Sequence, residues 1–472
     1  MARPTLLHTA ALALACIAGN ALADGTAPAN APVNAPVTAP ADMQLVAKGA
    51  YLARAGDCVA CHTAPQGKPF AGGLAMSTPI GAVYSTNITP DKTHGIGDWS
   101  FEDFAKLMRT GVTKAGYTVY PAMPYPSFSR LGDDDLQALY AYFTQGVQPD
   151  PTPNKKADIP WPLSMRFPLA LWRMAFAPDP LPTSVPVDAQ PTLLRGAYLV
   201  QGLGHCGACH TARGVAFQEK ALTANSNTVY LAGGAPIDGW PIPSLRNTHG
   251  GGLAQWSKDD IVEFLQTGRN QRSASFGGMN DVVAHSTQYL SDTDLGSIAL
   301  FLKSLPDGSS VPPPYVPDPK VGQDLHAGIV NGRGAQVYLD RCAGCHRSDG
   351  QGNGKAFPAL AGNAVLQTSD PTSGIKIVLS GSAVPSTMKA PSALTMAPYA
   401  GLLSDDDIAQ VVSFIQTSWG NHGGPATASQ VATLRKSSPP LQPMTAAAFA
   451  AGRVVPSPLA PQVGASAAPG KP

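Results

Sequence analysis

Three copies of one five-residue pattern hold the most chemically informative side chains of this sequence. Each copy has two cysteines separated by two residues, with a histidine directly after the second cysteine. Two thiols at this spacing lie on one helical turn and can bond covalently to the edge of a haem, while the histidine offers its imidazole to the iron. The pattern therefore predicts three c-type haem sites. The predicted attachment residues are Cys58, Cys61, Cys206, Cys209, Cys342 and Cys345, and the predicted iron ligands are His62, His210 and His346.

The same cysteines fit other uses of paired thiols less well. Structural zinc needs four ligands and usually takes them from two pairs close in sequence, whereas these three pairs are widely separated. A redox dithiol does not need the histidine that follows, and a disulfide framework belongs to short chains that are dense in cysteine. Six of the seven cysteines fall in the repeated pattern, which favours haem attachment over each alternative.

Each haem iron needs either a second axial ligand or an open site. A methionine thioether raises the reduction potential and suits electron transfer, whereas an open position suits oxygen or peroxide chemistry. In the middle copy, Met279 is the only methionine between Met174 and Met388, and it follows two glycines. Its position, well after His210 and shortly before a predicted helix, favours Met279 as the sixth ligand of the second iron.

Corresponding positions select Met123 for the first iron and Met396 for the third. Met123 directly precedes Pro124 and Met396 lies two residues before Pro398, and the fixed backbone angle of proline stiffens a loop against loss of the ligand. Met76 and Met108 are the competitors in the first copy. We interpret both as structural, because one precedes a predicted helix and the other lies within it. Met388 is the competitor in the third copy and stays open as an alternative to Met396.

The second ring nitrogen of each ligand histidine also needs a partner. A metal-bound histidine usually donates its other ring N–H to a carbonyl group. The carbonyls of Pro243 and Pro358 are candidates beside the second and third irons. An ordinary turn at each proline is the alternative interpretation.

Length, charge and the N-terminus bound the class of protein. The chain has 472 residues, which predicts about three domains at roughly 150 residues each. The formal net charge is +1, so no nucleic-acid partner is expected. Residues 1–23 have the pattern of a secretory signal peptide, with Arg3, an apolar core and a small-residue cleavage site. No later stretch has the ~18 apolar residues of a spanning helix, so we expect an exported protein whose membrane contact is peripheral.

Three further elements repeat along the chain. A helix leads into each haem motif, and its copies begin near Lys48, Arg195 and Arg333. A Trp-Ser pair opens a capped helix in the first two copies, with Ser100 and Ser257 as N-caps and an acid three residues later. An Asp-rich turn then opens a closing helix in all three copies, and this helix is expected to pack on the first helix beside the haem. Repetition of the whole set predicts three copies of one small helical fold.

These repeats divide the chain into three predicted domains joined by proline-rich segments. In chain order we predict a signal peptide at 1–23, an Ala/Pro-rich linker at 24–42, a first domain at 43–148, a linker with an apolar segment at 149–190, a second domain at 191–305, a linker at 306–325, a third domain at 326–420 and a low-complexity tail at 421–472.

The chain resembles the three-haem cytochrome c subunit of bacterial membrane-bound dehydrogenases, such as gluconate 2-dehydrogenase and the quinoprotein alcohol dehydrogenase. The resemblance covers about residues 43–420. Besides the haem motifs, it rests on the stretches 84–90, 120–124, 204–210 and 418–421. It implies an all-α fold of three tandem class I cytochrome c-like domains with long loops. We favour the gluconate branch, whose partner is a flavoprotein, partly because the tail lacks a long aromatic-rich extension.

The resemblance also implies a role in electron transfer without catalytic residues on this chain. A flavoprotein or quinoprotein subunit would oxidise a sugar acid, sugar or alcohol, and the electrons would pass through three covalently bound haem c groups to ubiquinone. A small third subunit and peripheral attachment to the periplasmic face of the cytoplasmic membrane are implied as well. The apolar run 161–176 is a candidate for that attachment, and packing between the first two domains is the alternative. A free-standing periplasmic carrier and a multihaem peroxidase-like enzyme are the alternative functions.

Overall fold

Helices make up most of the regular structure. The structure is a computed structural model that describes residues 39–177, 189–225, 228–307 and 314–438. Its α-helices are α1 Ala39–Ala55, α2 Cys58–Cys61, α3 Phe101–Thr110, α4 Tyr125–Phe128, α5 Asp133–Ala141, α6 Phe167–Phe176, α7 Pro191–Tyr198, α8 Gly207–His210, α9 Lys258–Thr267, α10 Gly278–His285, α11 Asp292–Ser304, α12 Lys320–His326, α13 Arg333–Arg341, α14 Ala343–His346, α15 Thr372–Ser380, α16 Asp405–Thr417 and α17 Ala428–Ser437. Tyr142–Gly146 and Leu199–Leu203 are π-helical, and Thr287–Tyr289 and Ala364–Gln367 are 3₁₀ turns.

Short β-hairpins accompany these helices. The paired antiparallel strands are β1 Ala75–Thr78 with β2 Gly81–Tyr84, β3 Gly234–Ile237 with β4 Trp240–Ile242, and β5 Ser382–Ala383 with β6 Thr395–Met396. The expected all-α class is therefore confirmed as a mostly helical fold with minor strands. The predicted signal peptide at 1–23 lies outside the described residues, as does most of the linker at 24–42.

Local capping chemistry fixes the two helices that were predicted from the Trp-Ser pairs. Ser100 Oγ accepts the backbone N–H of Asp103 at 3.2 Å before α3, and Ser257 Oγ accepts that of Asp260 at 3.0 Å before α9. Each aspartate returns a hydrogen bond to the serine N–H, so both capping boxes are complete. Both helices end at a glycine in the left-handed region, with φ of 69° and 72°.

The helix before each haem motif crosses a closing helix at a glycine. A Cβ added to Gly49 of α1 would lie 1.9 Å from the carbonyl oxygen of Ala138 in α5. Equivalent atoms on Gly196 of α7 and Gly334 of α13 would lie 2.0 and 2.3 Å from carbonyl oxygens of α11 and α16. Only glycine permits backbones to approach this closely. The predicted packing of the first helix on the closing helix is confirmed at all three crossings.

An ion pair lies at each crossing as well. The basic residue before each glycine contacts the third residue of the Asp-rich turn that opens the closing helix. The pairs are Lys48–Asp135 at 2.6 Å, Arg195–Asp294 at 2.8 Å and Arg333–Asp407 at 2.6 Å. The same three-part contact is thus built three times, from matching positions of the sequence repeat.

The apolar core of the described residues forms two clusters. The first joins residues of the predicted first and second domains, and it includes the fully buried Leu136 of α5 and Leu295 of α11. The second belongs to the third predicted domain and includes Tyr338 and Ile408. The first two units therefore share a continuous apolar core.

The structure differs from the predicted segment boundaries in three places. Helix α1 begins at Ala39, inside the predicted linker 24–42. Helix α12 occupies the end of the predicted linker 306–325 and buries Leu325 in the second cluster. Helix α17 lies in the predicted tail 421–472, where a capping box at Thr427 starts a helix and Val431 is fully buried. Composition did not reveal α12 and α17, because each depends on an apolar residue, Leu325 or Val431, that is buried in the second cluster.

Candidate haem sites

Each cysteine motif folds into a single helical turn directly after a longer helix. In all three, the backbone N–H of the motif histidine donates to the carbonyl of the first cysteine at 2.9 Å. The turns are α2, α8 and α14, and they follow α1, the π-helical segment Leu199–Leu203, and α13. This hydrogen bond keeps the two thiols and the imidazole of each motif on one turn, as covalent haem attachment requires.

A backbone carbonyl holds the Nδ1 atom of each motif histidine. The distances are 2.7 Å from His62 to Thr86 O, 2.8 Å from His210 to Pro243 O and 3.0 Å from His346 to Pro358 O. Because a carbonyl only accepts, the proton is on Nδ1 and the Nε2 lone pair is left for a metal. The roles predicted for Pro243 and Pro358 are confirmed. Sequence reasoning missed Thr86, because no proline marks that turn. The available signal was the aliphatic residue two positions later, Ile88, since Leu245 and Leu360 follow Pro243 and Pro358 at the same spacing.

Burial shifts the pKa values of the motif histidines and of the first motif cysteines so that their neutral forms are favoured. Burial lowers the pKa of His62, His210 and His346, so the imidazoles are neutral near pH 7. Burial also raises the pKa of the first cysteine of each motif to about 12. Reactive and zinc-binding cysteines instead have lowered pKa values, and across the described ranges no three His, Cys, Asp or Glu side chains gather into a metal-binding group.

A buried arginine beside the second motif offers a further test of whether haem fits. Arg246 is 0% exposed, and its guanidinium donates from Nη1 to Tyr230 O at 2.8 Å and from Nε to Pro306 O at 3.0 Å. Its Nη2 has no hydrogen-bond partner among the described residues. The charge of Asp307 acts on this guanidinium, and a haem propionate would supply a hydrogen-bond acceptor for the unpaired Nη2. The site therefore fits an anionic porphyrin.

The structure places the methionines in different local settings. Met123 lies in the turn before α4 and packs against the first core cluster. Met396 lies in β6, pairs with Ser382 and packs against the second cluster. Met279 is the second residue of α10, a helix that the sequence did not predict, and it is partly exposed.

The competing methionines have settings of their own. Met108 is 7% exposed within α3, and Met76 lies in β1. Met388 is 67% exposed, which separates it from the more protected Met396. These placements agree with the interpretation of Met76 and Met108 as structural, and the assignment of Met123, Met279 and Met396 to iron stays a prediction.

Comparison with known proteins places this chain in a class. The sequence model of the cytochrome c family matches residues 46–146 and 332–419, the regions around the first and third motifs. The protein is thus a c-type cytochrome.

Close relatives define the family further. The chain is 53% identical over 406 residues to the cytochrome c subunit of alcohol dehydrogenase (quinone) from Gluconacetobacter polyoxogenes, covering 85% of this chain and 86% of the relative. It is 52% identical over 397 residues to the gluconate 2-dehydrogenase cytochrome c subunit of Pantoea cypripedii, covering 83% and 90%. It is 35% identical over 409 residues to the fructose dehydrogenase cytochrome subunit of Gluconobacter japonicus, covering 83% and 82%. The chain belongs to the family of cytochrome c subunits of bacterial dehydrogenase complexes, and its role is electron transfer.

The relation to a membrane is constrained by one structural finding. In the part of the chain that the structure describes, no helix combines the length and the apolar composition needed to cross a bilayer.

Proposed function

We propose that this chain carries three covalent haem c groups and relays electrons from a periplasmic catalytic dehydrogenase subunit to ubiquinone in the membrane. The observation that carries the proposal is the threefold repetition of one arrangement: a helical turn with two cysteines, and a histidine whose Nδ1 is held by a carbonyl at 2.7, 2.8 or 3.0 Å. The middle copy has it as fully as the two copies that the cytochrome c family model matches. This supports three domains at 43–148, 191–305 and 326–420, with small extensions at their ends.

In this proposal each iron is held between an imidazole and a thioether. The pairs are His62 with Met123, His210 with Met279, and His346 with Met396. Haem bound in this way supplies one-electron redox chemistry at a raised potential. The chain's own residues attach the haem, hold each imidazole neutral and oriented, and shield the iron from water. Such a site suits electron relay rather than peroxide chemistry, which would need an open iron position.

The donor of the electrons is a second subunit. Relatives of nearly equal identity are named for alcohol dehydrogenase and gluconate 2-dehydrogenase, at 53% and 52%. A quinoprotein and a flavoprotein partner are therefore equally supported, and the branch favoured from the tail gains no support. A small third subunit is part of the proposal. Co-purification from native membranes, followed by a screen of gluconate, alcohols and sugars as reductants of the haems, identifies the partner.

The co-purification distinguishes the proposed relay function from the two alternative functions. We expect the chain to leave the membrane with a catalytic subunit and to be reduced by one of these substrates, with a soluble ubiquinone analogue accepting the electrons. A chain that is released into the periplasmic fraction alone would instead be a free-standing carrier. A chain with one high-spin haem that turns over hydrogen peroxide would be a peroxidase-like enzyme.

Helix α6 gives the proposed membrane contact a definite surface. None of its residues is fully buried. One side packs on the protein through Trp172, whose Nε1 donates to Ala216 O at 2.8 Å. The other side presents Phe167, Leu171 and Met174, which are 65%, 57% and 65% exposed. The run packs on the first two units through Trp172, whose ring also meets Tyr125 edge-on at 6.4 Å, and it leaves an apolar stripe on its other side for the proposed membrane contact.

The surroundings of this stripe favour a lipid surface. Trp161, just before the helix, is 80% exposed, and Arg166 and Arg173 are the charged residues within 161–176, a run without acids. Aromatic and aliphatic residues with basic neighbours are typical of helices that lie in the membrane interface. We propose that α6 lies on the periplasmic face of the cytoplasmic membrane.

Binding to lipid vesicles tests the α6 contact. The triple variant Phe167→Asp, Leu171→Asp and Met174→Asp should lose sedimentation with phosphatidylethanolamine–phosphatidylglycerol vesicles while keeping its haem spectrum. Leu402→Asp is the matched control, because Leu402 is 68% exposed on another part of the chain. Unchanged vesicle binding by the triple variant would remove α6 from the proposal.

A further inference from the structure

His205 directly precedes the second haem motif and contacts the first. Its Nε2 lies 3.3 Å from the carbonyl oxygen of Gly56, two residues before Cys58. Its ring also meets Phe128 edge-on, with centroids 5.6 Å apart and an interplanar angle of 74°. The backbone of His205 has φ of +37°, a region that few non-glycine residues adopt and that costs energy. The His205 imidazole thus contacts the segment before the first motif, and the backbone conformation that places it there is strained.

The surrounding residues hold the two motifs close together. A Cβ on Gly56 would lie 3.0 Å from Leu203 Cδ1, so the chain before Cys58 packs directly on the segment before Cys206. The hydrogen bond between His205 and Gly56 lies within the same contact.

We propose that His205 is the electron bridge between the first and second haems, an inference that rests on the proposed relay function. The route runs from Cys58 through the backbone to the Gly56 carbonyl, across the hydrogen bond from His205 Nε2, and along the chain to Cys206. Apart from that hydrogen bond, every step is a covalent bond. Electron tunnelling through bonds is faster than across an unbonded gap, so removal of the N–H should slow the exchange.

The step balances without a proton or a further reactant. One haem iron goes from Fe(II) to Fe(III), the other goes from Fe(III) to Fe(II), and one electron moves between them. His205 keeps its proton throughout, since the Gly56 oxygen only accepts a hydrogen bond. Burial lowers the pKa of His205, which keeps the imidazole neutral and avoids an added charge between the two irons.

A purely structural role is the competing explanation, because the ring also packs between two units. His205→Phe keeps an aromatic ring against Phe128 but removes the donor. His205→Gln removes the ring and keeps an N–H of similar reach. His205→Asn tolerates the positive φ but is too short to reach Gly56. His422→Phe is the control, because His422 is an exposed histidine far along the chain, just after the third predicted domain.

The experiment measures electron exchange between the haems in the partly reduced, full-length holoprotein. Exchange NMR of the shifted haem methyl signals gives the rate for each pair of haems, and spectroelectrochemistry gives the midpoint potentials. We expect His205→Phe and His205→Asn to slow exchange between the first two haems, with haem content and potentials unchanged. His205→Gln should retain most of the rate, and His422→Phe all of it.

Two results would overturn the bridge alone: an unchanged rate in both His205→Phe and His205→Asn, or a loss in His205→Gln as large as in His205→Phe. Wild-type haems that do not exchange electrons at all would overturn the relay function and the bridge together. Measurement of the wild-type rate therefore separates the two failures.

Discussion

Asp294 accepts hydrogen bonds from both the first and the second predicted domains, and its replacement should lower the free energy of unfolding. The Arg195 guanidinium donates to both carboxylate oxygens of Asp294 at 2.8 Å, and Tyr51 of α1 donates its O–H to Oδ2 at 2.5 Å. Asp294 lies in the first turn of α11, Arg195 in α7 and Tyr51 in α1. One carboxylate therefore connects three helices by hydrogen bonds. The side chain of Asp294 is 10% exposed and that of Arg195 is 33% exposed. We predict that Asp294→Asn destabilises the contact that holds the first two motifs side by side.

The size of the effect follows from this geometry. Removing one partner of a fully buried ion pair costs about 3–5 kcal/mol. Arg195 is one-third exposed and can regain water, which places the expected loss in the free energy of unfolding at about 2–3 kcal/mol. Tyr51→Phe removes a single hydrogen bond to a charged group and should cost about 1–2 kcal/mol.

The acid dependence of the same contact has a definite sign. Burial alone would raise the pKa of Asp294, but the hydrogen bonds from Arg195 and Tyr51 outweigh it and lower the pKa below the ordinary 3.8. Because the folded state holds the proton less tightly than the unfolded chain, the stabilisation is fully present above about pH 4 and is lost as the pH falls through the lowered pKa. This acid-dependent part should disappear in Asp294→Asn.

Urea unfolding of the haem-loaded, full-length chain measures the loss. Asp292→Asn is the matched control, since Asp292 lies in the same turn of α11 but its side chain is 77% exposed. An exposed pair contributes less than about 1 kcal/mol. If Asp294→Asn is no more destabilising than Asp292→Asn, the reasoning about this junction is refuted.

Three further changes have expected outcomes in the same unfolding assay. Burial raises the pKa of Glu219 to about 7 from an ordinary 4.5, so the folded state loses stability as the pH rises through this range. The free energy of unfolding of Glu219→Gln should therefore exceed that of wild type by about 1–3 kcal/mol at pH 8 and equal it at pH 4. Lys376 Nζ lies 4.3 Å from the Trp240 ring centroid and donates to the Asp238 carbonyl at 2.8 Å, and Lys376→Met should lower the free energy of unfolding by about 1 kcal/mol; no change would show that these two contacts together are not stabilising. A chain ending at residue 426 should unfold at a lower urea concentration than one ending at 438, because it lacks Val431, which is fully buried in the second core cluster and whose burial contributes about 1.5–3 kcal/mol; equal midpoints would contradict this.

Features set by neighbouring residues could be predicted from the sequence. The capping boxes at Ser100 and Ser257 need only residues three apart, and the cysteine turns need only the motif itself. The carbonyls of Pro243 and Pro358 were identifiable because a proline marks the turn that presents each one. The threefold repeat also allowed one copy to predict the next, as at the helix crossings.

Features set by distant contacts could not be predicted. Thr86 takes the place of the marker proline, so its role depends on the folded loop. Helix α17 depends on Val431 reaching the second core cluster. The shared core of the first two units and the contact of His205 with Gly56 both arise from packing between sequence repeats. A repeat predicts the structure of its own copies, but it does not say which faces meet.

The number of haems per polypeptide tests the central claim most directly. Intact mass spectrometry of the purified, exported chain counts covalently attached haems, and a pyridine haemochrome assay on the same sample counts haem iron. The account predicts three haems per chain by both methods, with reduced spectra typical of low-spin iron. Two haems, with the thiols of the middle motif at Cys206 and Cys209 free, would contradict it.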